Sequence, residues 1–168
     1  MLIVLSGLPG VGKTTIARAL ARATGAIHVR IDSIEQALRD GGYEGEMNDA
    51  GYRIAYVVAE DNLRLGHTVI ADSVNPIALT RNAWRNIASR AGVHSIDVEI
   101  ICSDQTEHRR RVQSRMADIA GQELPTWDEV LEREYHQWDR NRLVIDTALE
   151  DREHMIARIA AAIAKPRS

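Results

Sequence analysis

Short apolar runs alternate with stretches of helical spacing along this chain. Leu2-Ile3-Val4-Leu5 is apolar throughout, as a strand buried on both faces is. From Lys13 to Thr24, Ile16, Leu20 and Ala23 recur at helical spacing, and Gly25 stops that helix. Ala26 to Ile31 reads as a second strand and Ser33 to Leu38 as a short helix closed by Gly41-Gly42. Asn48 to Leu65 carries Tyr52, Ala55, Tyr56, Ala59 and Leu63 on one helical face. His67 to Ala71 is a third strand. Pro76 suits a first helical turn, and Trp84, Ile87, Ala88 and Ala91 form that helix's buried stripe up to Gly92. Ile96 to Ile101 is a fourth strand, and Asp104 to Ala117 a polar, arginine-rich helix. Gly121 to Pro125 is a break. Thr126 and Glu129 then make a capping box for a helix running to about Arg140. Leu143-Val144-Ile145 is a fifth strand, and Ile156, Ile159, Ala160 and Ile163 give the last helix its core face. Five strands alternating with helices mean an α/β fold with a parallel sheet covered on both faces. Ligands in such sheets bind beyond the carboxyl ends of the strands, so the residues just after each strand matter most.

Composition narrows the picture. The 168 residues contain no repeat and no Pro/Gly/Ser linker, so residues 1–168 are expected to form a single domain. Lys and Arg number 21 against 24 Asp and Glu, a net charge of -3, which argues against a nucleic-acid backbone as the main partner. One cysteine, Cys102, excludes an internal disulfide and a thiolate metal cluster. No apolar run reaches the roughly 20 residues needed to span a bilayer, and the opening MLIVLSGLPG lacks a basic leader, so no membrane is expected and the cytoplasm is the expected compartment. With no phenylalanine, the core must be built of Ile, Leu, Val and Ala.

After the first strand stands Gly7-Leu8-Pro9-Gly10-Val11-Gly12-Lys13-Thr14, which matches G-x-x-x-x-G-K-[ST] at every fixed position. The glycines allow successive backbone N–H groups to point inward, and the following helix adds its positive end. Lys13 is placed to bridge outer phosphates and the Thr14 hydroxyl to ligate Mg²⁺; Thr15 lies near an α-phosphate. Asp32 follows the second strand and suits a general base for a hydroxyl; with Glu35 it also forms a helix-capping pair. Asp72 ends the third strand, where phosphate-loop proteins often place a carboxylate beside the metal. Asn75 lies close enough behind to touch a substrate. Glu107 to Arg115 holds four arginines, of which Arg111 and Arg115, four apart, are expected on one helix face and aimed at phosphates. Asp146-Thr147 follows the fifth strand, near the expected base-binding end. The six histidines show no metal spacing and read as surface or packing residues.

Taken together, Gly7–Thr14, Arg30-x-Asp32, Val69-Ile70-Ala71-Asp72 and Arg111-x-x-x-Arg115 resemble the small P-loop kinases of the shikimate, gluconate and adenylate kinase group. The pattern is most similar to the branch that includes chloramphenicol phosphotransferase and the polynucleotide kinase domain. The resemblance implies a five-stranded sheet of order 2-3-1-4-5, ATP with Mg²⁺, and a lid over about 108–125. It implies ATP contacts from Gly7 to Thr15 and from Arg115, metal contacts from Thr14 and Asp72, and catalytic roles for Lys13, Asp32, Arg111 and Arg115. Family substrates run from antibiotics and sugars to nucleic-acid ends; here Asp72-Ser73-Val74-Asn75 departs from many relatives at the acceptor side. The expected activity moves the γ-phosphoryl of ATP to a hydroxyl of a small molecule. A polynucleotide 5′-hydroxyl kinase and a nucleotide-dependent switch are the alternatives, although no guanine-reading N-K-x-D is present. A monomer or weak homodimer is expected, since no surplus apolar helix face stands out.

Overall fold

The computed structural model describes residues 1–44, 47 and 49–164. Its centre is β1 (Leu2–Ser6), all of whose residues are buried. It is flanked by β3 (Val69–Asp72) and β4 (Ser95–Ile101), with β2 (Ile27–Arg30) and β5 (Leu143–Asp146) at the edges. The order is β2-β3-β1-β4-β5 and every pairing is parallel, as the resemblance implies. Alternation along β1 splits the core in two. Ile3 and Leu5 face α1 (Lys13–Thr24) and α7 (Arg152–Ala164) through Ile16, Leu20, Met155 and Ile159. Leu2 and Val4 face α3 (Ala50–Arg64) and α4 (Ala78–Arg90) through Ala55, Leu63, Trp84 and Ile87. The chain leaves β1 toward one face of the sheet and β3 toward the other, which opens a crevice between their carboxyl ends.

Several elements depart from their sequence pattern, each for a visible reason. The second helix, α2 (Ile31–Asp40), begins at Ile31 and not Ser33; the extended Arg30 is its N-cap residue and makes no side-chain cap bond. Asp32 is therefore a first-turn residue beside the positive helix end, not a cap. The expected start at Asn48 lies outside the described residues. Pro76 precedes α4 by one residue beyond its N-cap Ile77, so it sits outside the first turn. The arginine-rich helix, α5 (Gln105–Ser114), stops before Arg115, which is extended. The capping box of Thr126 and Glu129 forms, but α6 (Trp127–Glu132) ends well short of Arg140. Buried Arg81 of α4 explains this, since its guanidinium captures the carbonyls of His136 and Gln137 at 2.9 and 3.3 Å and lies over the rings of Tyr135 and Trp138. Those carbonyls serve a tertiary contact and are not spent on helix continuation. In α7 the buried residues are Met155 and Ile159, while Ala160 is exposed.

Candidate active site

The glycine loop after β1 needs its glycines. Gly7 has φ +144°, and a Cβ there would lie 2.2 Å from the Ile100 carbonyl oxygen of β4. Gly12 has φ +99° and forms the left-handed N-cap of α1. The loop is tied down from three directions. The Gly7 N–H donates to the Val74 carbonyl at 3.1 Å. His108 Nε2 of α5 lies 2.8 Å from the Pro9 carbonyl, a geometry that requires the proton on that nitrogen. The Thr147 hydroxyl, just after β5, lies 2.9 Å from the Val11 carbonyl. With the Leu8, Pro9 and Val11 carbonyls and the Gly7 N–H occupied, the N–H groups that follow Gly7 are the ones suited to an anion. The Lys13 ammonium donates to the Leu8 carbonyl at 2.9 Å. Burial lowers its pKa to about 8, against the opposing pull of Asp72 and Asp32.

Asp72, at the end of β3, is 3% exposed. Burial pushes its carboxyl upward, but the hydrogen bond to His28, the Lys13 charge and the Thr14 hydroxyl outweigh that and hold it below the ordinary carboxylate value. His28 Nε2 lies 3.0 Å from Asp72 Oδ2. Thr14 and Asp72 together offer hard oxygen ligands. Among the described residues no group of three or more His, Cys, Asp or Glu is arranged to hold a metal ion. That donor set fits a Mg²⁺ that keeps waters and takes its other ligands from substrate phosphates, and not a dedicated protein cage.

On the far side of the crevice, Asp32 is partly exposed and accepts from Arg30 Nη2 at 3.1 Å. Glu35, one turn on, is held above its ordinary value by burial and then by the Asp32 charge. A Cβ on Gly51 would lie 2.5 Å from Glu35 Cγ, so α3 gives way to this side chain. A cleft of about 940 Å³ joins the two sides, with Lys13, Thr14, Asp72 and Arg115 toward the loop and Asp32 and Tyr52 opposite.

The structure brings most of the expected residues to this cleft. Pro9, Gly10, Gly12, Thr15 and Arg111 line it too, whereas Gly7, Leu8 and Val11 do not, and the Val11 side chain is in the core. Arg111 and Arg115 do not share a helix face, because Arg115 lies past the end of α5. Arg111 is engaged on every side, by Glu107 at 2.8 Å and by the Thr147 hydroxyl and carbonyl at 2.7 and 3.0 Å. Arg115 has a long ion pair to Asp118 at 3.9 Å. Asn75 does not reach the cleft. It is 0% exposed with φ +47°, its amide donating to the Leu5 carbonyl at 3.0 Å and its carbonyl accepting from Trp84 Nε1 at 3.0 Å. Sequence reasoning missed His28, His108 and Asp118, whose partners lie 44, 99 and 88 residues away. Histidine spacing carried no sign of them; only the alternation of His28 and Arg30 on one strand pointed at a shared face.

Comparison with known proteins adds a family. A family model described as an AAA domain matches residues 2–133. An uncharacterized protein of Mycobacterium tuberculosis is 35% identical over 115 residues, which is 61% of this chain but 23% of that protein. The chain thus spans about a quarter of the length of the curated relatives it first matches. Among solved structures, a candidate kinase of Chloroflexus aurantiacus superposes with a TM-score of 0.75 at 20% identity, covering 96% of this chain and 94% of the other. The APS kinase CysC of Mycobacterium tuberculosis, in complex with AMPPNP and APS, gives 0.72 at 16% identity over 98% and 97%. Kti12 of Chaetomium thermophilum, in complex with ADP-AlF3, gives 0.71 at 23% identity over 98% and 100%.

Proposed function

The chain belongs to this AAA-domain family and has the fold of the P-loop kinases, and on that premise we propose that it is an ATP-dependent phosphotransferase. In this reading it moves the γ-phosphoryl group of ATP to a hydroxyl of a small molecule. The observation that carries the reading is one cleft lined both by Lys13, Thr14 and Asp72 and by the carboxylate of Asp32. A phosphate cradle alone suits binding; a carboxylate facing it across an open cleft suits an acceptor.

The glycine loop would hold the phosphates through its N–H groups, and Lys13 would meet the outer ones. The negative charge of bound phosphate favours the ammonium that burial disfavours, so the lysine gains most of its charge stabilisation when nucleotide arrives. Thr14 and Asp72 would hold Mg²⁺, which when bound neutralises charge on the phosphates. Asp32 would accept the hydroxyl proton as the new O–P bond forms and the bond to the leaving ADP oxygen breaks. Arg115, whose ion pair to Asp118 is long, would meet the transferring group. Arg111 would act from its fixed position beside Thr147, as a charge near the phosphates and a brace for the loop. The test is a transfer screen of labelled ATP over hydroxylated metabolites, aminoglycosides, phenicols and oligonucleotides. Label in a small molecule supports the reading. Label in oligonucleotide ends moves the protein to a 5′-hydroxyl kinase, and binding of ATP with no transfer to any acceptor moves it to a nucleotide-dependent switch.

A further inference from the structure

Between α5 and α6, residues 115–126 form a non-helical strap that lines the cleft through Arg115, Met116, Asp118 and Glu123. The strap is docked at two points. Gly121 sits over Gln36 of α2, where a Cβ would lie 3.0 Å from the amide nitrogen. Asp118 reaches the end of β2 and meets Arg30 in a two-pronged pair, at 2.8 Å from Nη1 and 3.0 Å from Nη2. It also meets Arg18 of α1 at 2.6 Å. The Arg30 guanidinium is 4% exposed, so water does little to screen it. Its Nη2 is shared, since the same nitrogen donates to Asp32 at 3.1 Å. Two carboxylates from different parts of the chain therefore compete for one buried cation. Asp118 takes the bidentate share and Asp32 a single contact.

We infer that Asp118 is a positioning residue for Asp32: by engaging Arg30 from the strap, it keeps that cation's charge from settling on the Asp32 carboxylate. The inference rests on the role proposed above for Asp32 as the base. A carboxylate fully paired with an arginine is a poor proton acceptor, because the pair stabilises the charged form that must be given up. With the strap docked, Arg30 gives two of its contacts to Asp118 and one to Asp32. With Asp118 withdrawn, Arg30 is left with Asp32 alone. The other groups that act on Asp32 come from each packed element: Lys13 of α1, Glu35 of α2 and Tyr52 of α3. The strap itself also brings Arg115 and Glu123 to the cleft, and of its charges Asp118 is the one in direct contact with Arg30. Strap docking and readiness of the base are then one event.

The test needs no acceptor. The Asp carboxyl carbons are labelled with ¹³C in the full chain, the Asp32 signal is identified by its loss in Asp32→Asn, and its titration is followed by NMR. In Asp118→Asn the Asp32 titration midpoint is expected to fall by about one pH unit or more relative to wild type, the size of effect an uncompensated neighbouring cation has. In Arg30→Gln/Asp118→Asn it is expected to return toward wild type, because the competing cation is gone as well. Backbone spectra of both variants report whether the fold is kept. An unchanged midpoint in folded Asp118→Asn overturns the inference while leaving the base reading intact, as does a fall that the double variant fails to reverse. Conversely, Asp32→Asn that transfers phosphate to an acceptor at the wild-type rate removes the base, and the positioning role with it.

Discussion

At the loop end of the cleft, neutral hydrogen bonds from β3's following loop, α5 and the turn after β5 fix the backbone of Gly7, Pro9 and Val11. At the opposite end, Arg30, Asp32, Asp118 and Arg18 are held by exchangeable ion pairs, and Glu35 accepts no hydrogen bond among the described residues. The first arrangement fixes the loop backbone in one conformation, which suits a single ligand class. The second is a set of charges whose partners can change when an acceptor arrives. That contrast explains why a phosphate ligand is readable at one end and an acceptor is not readable at the other.

The largest expected effect breaks the loop end. Lys13→Met should lower ATP turnover by about 10²–10³-fold or more, as the loss of a preorganised charge at a transferring group does. Its stability should behave in the opposite way. Burial lowers the lysine's pKa from 10.5 to about 8, so between those values the unfolded chain binds more protons and wild-type stability rises with pH. Below about pH 8 the burial penalty is fully present. The variant should therefore melt at or above wild type near neutral pH, with the gap closing as pH approaches 10.5. Substantial residual turnover would defeat the phosphate-clamp role, and a gap that widens with pH would defeat the burial account.

The next effect breaks the opposite end. Asp32→Asn should cut acceptor-dependent kcat by roughly 10²–10⁴-fold and keep ATP affinity. Because Asp32 caps nothing, both Asn and Ala should shift the denaturation free energy by less than about 1 kcal/mol, the scale of a first-turn charge effect. An alanine variant that loses more than the asparagine one by a full cap's worth would restore the capping role the sequence suggested.

A third measurement sharpens the comparison by testing two arginines, Arg111 held on α5 and Arg115 more loosely paired just past its end. Arg115→Lys should lower kcat by about 10–10²-fold with little change in ATP KM, a part of the 10³–10⁵ that a whole arginine contributes in related chemistry, because lysine keeps the charge and loses the planar fork. Arg111→Lys should raise ATP KM and lower Tm more than it lowers kcat, because it breaks the double contact with Thr147. Equal kcat losses in both would place them in the same role.

What the sequence made legible follows from distance along the chain. The strands, their parallel pairing, α1 from Lys13 to Thr24 and the glycine loop all follow from local periodicity and a short motif. The over-long helix after Thr126 was not recoverable from local pattern, because Arg81, more than 50 residues earlier, takes the carbonyls that the helix would have used. The same applies to Asn75, which reads as a polar cleft residue until its amide is seen satisfied by Leu5 and Trp84. Asp118 sits in a stretch with no pattern of its own and gains meaning only from Arg18 and Arg30.

The smallest expected effect tests whether the loop end is as preorganised as its bonds suggest. Thr147 holds the Val11 carbonyl from outside the loop, and its hydroxyl also accepts from Arg111 Nη1 at 2.7 Å. The hydroxyl also lies 3.1 Å from the Ile101 carbonyl. Thr147→Val keeps the shape and removes all three contacts, leaving the Val11 carbonyl without that partner. A lost neutral bond of this kind costs about 1 kcal/mol. If the tether acts by holding the loop's N–H groups toward phosphate, that cost should appear in ATP affinity as a rise in Kd of about fivefold. Thr147→Ser keeps the hydroxyl and should bind ATP as wild type does. Calorimetric titration with ATP and thermal melting of both variants separate the two destinations of the energy. A valine variant that melts lower but binds ATP with unchanged Kd would mean the loop holds its shape without the tether, with the glycine backbone and the Gly7 and Pro9 bonds sufficient for the cradle.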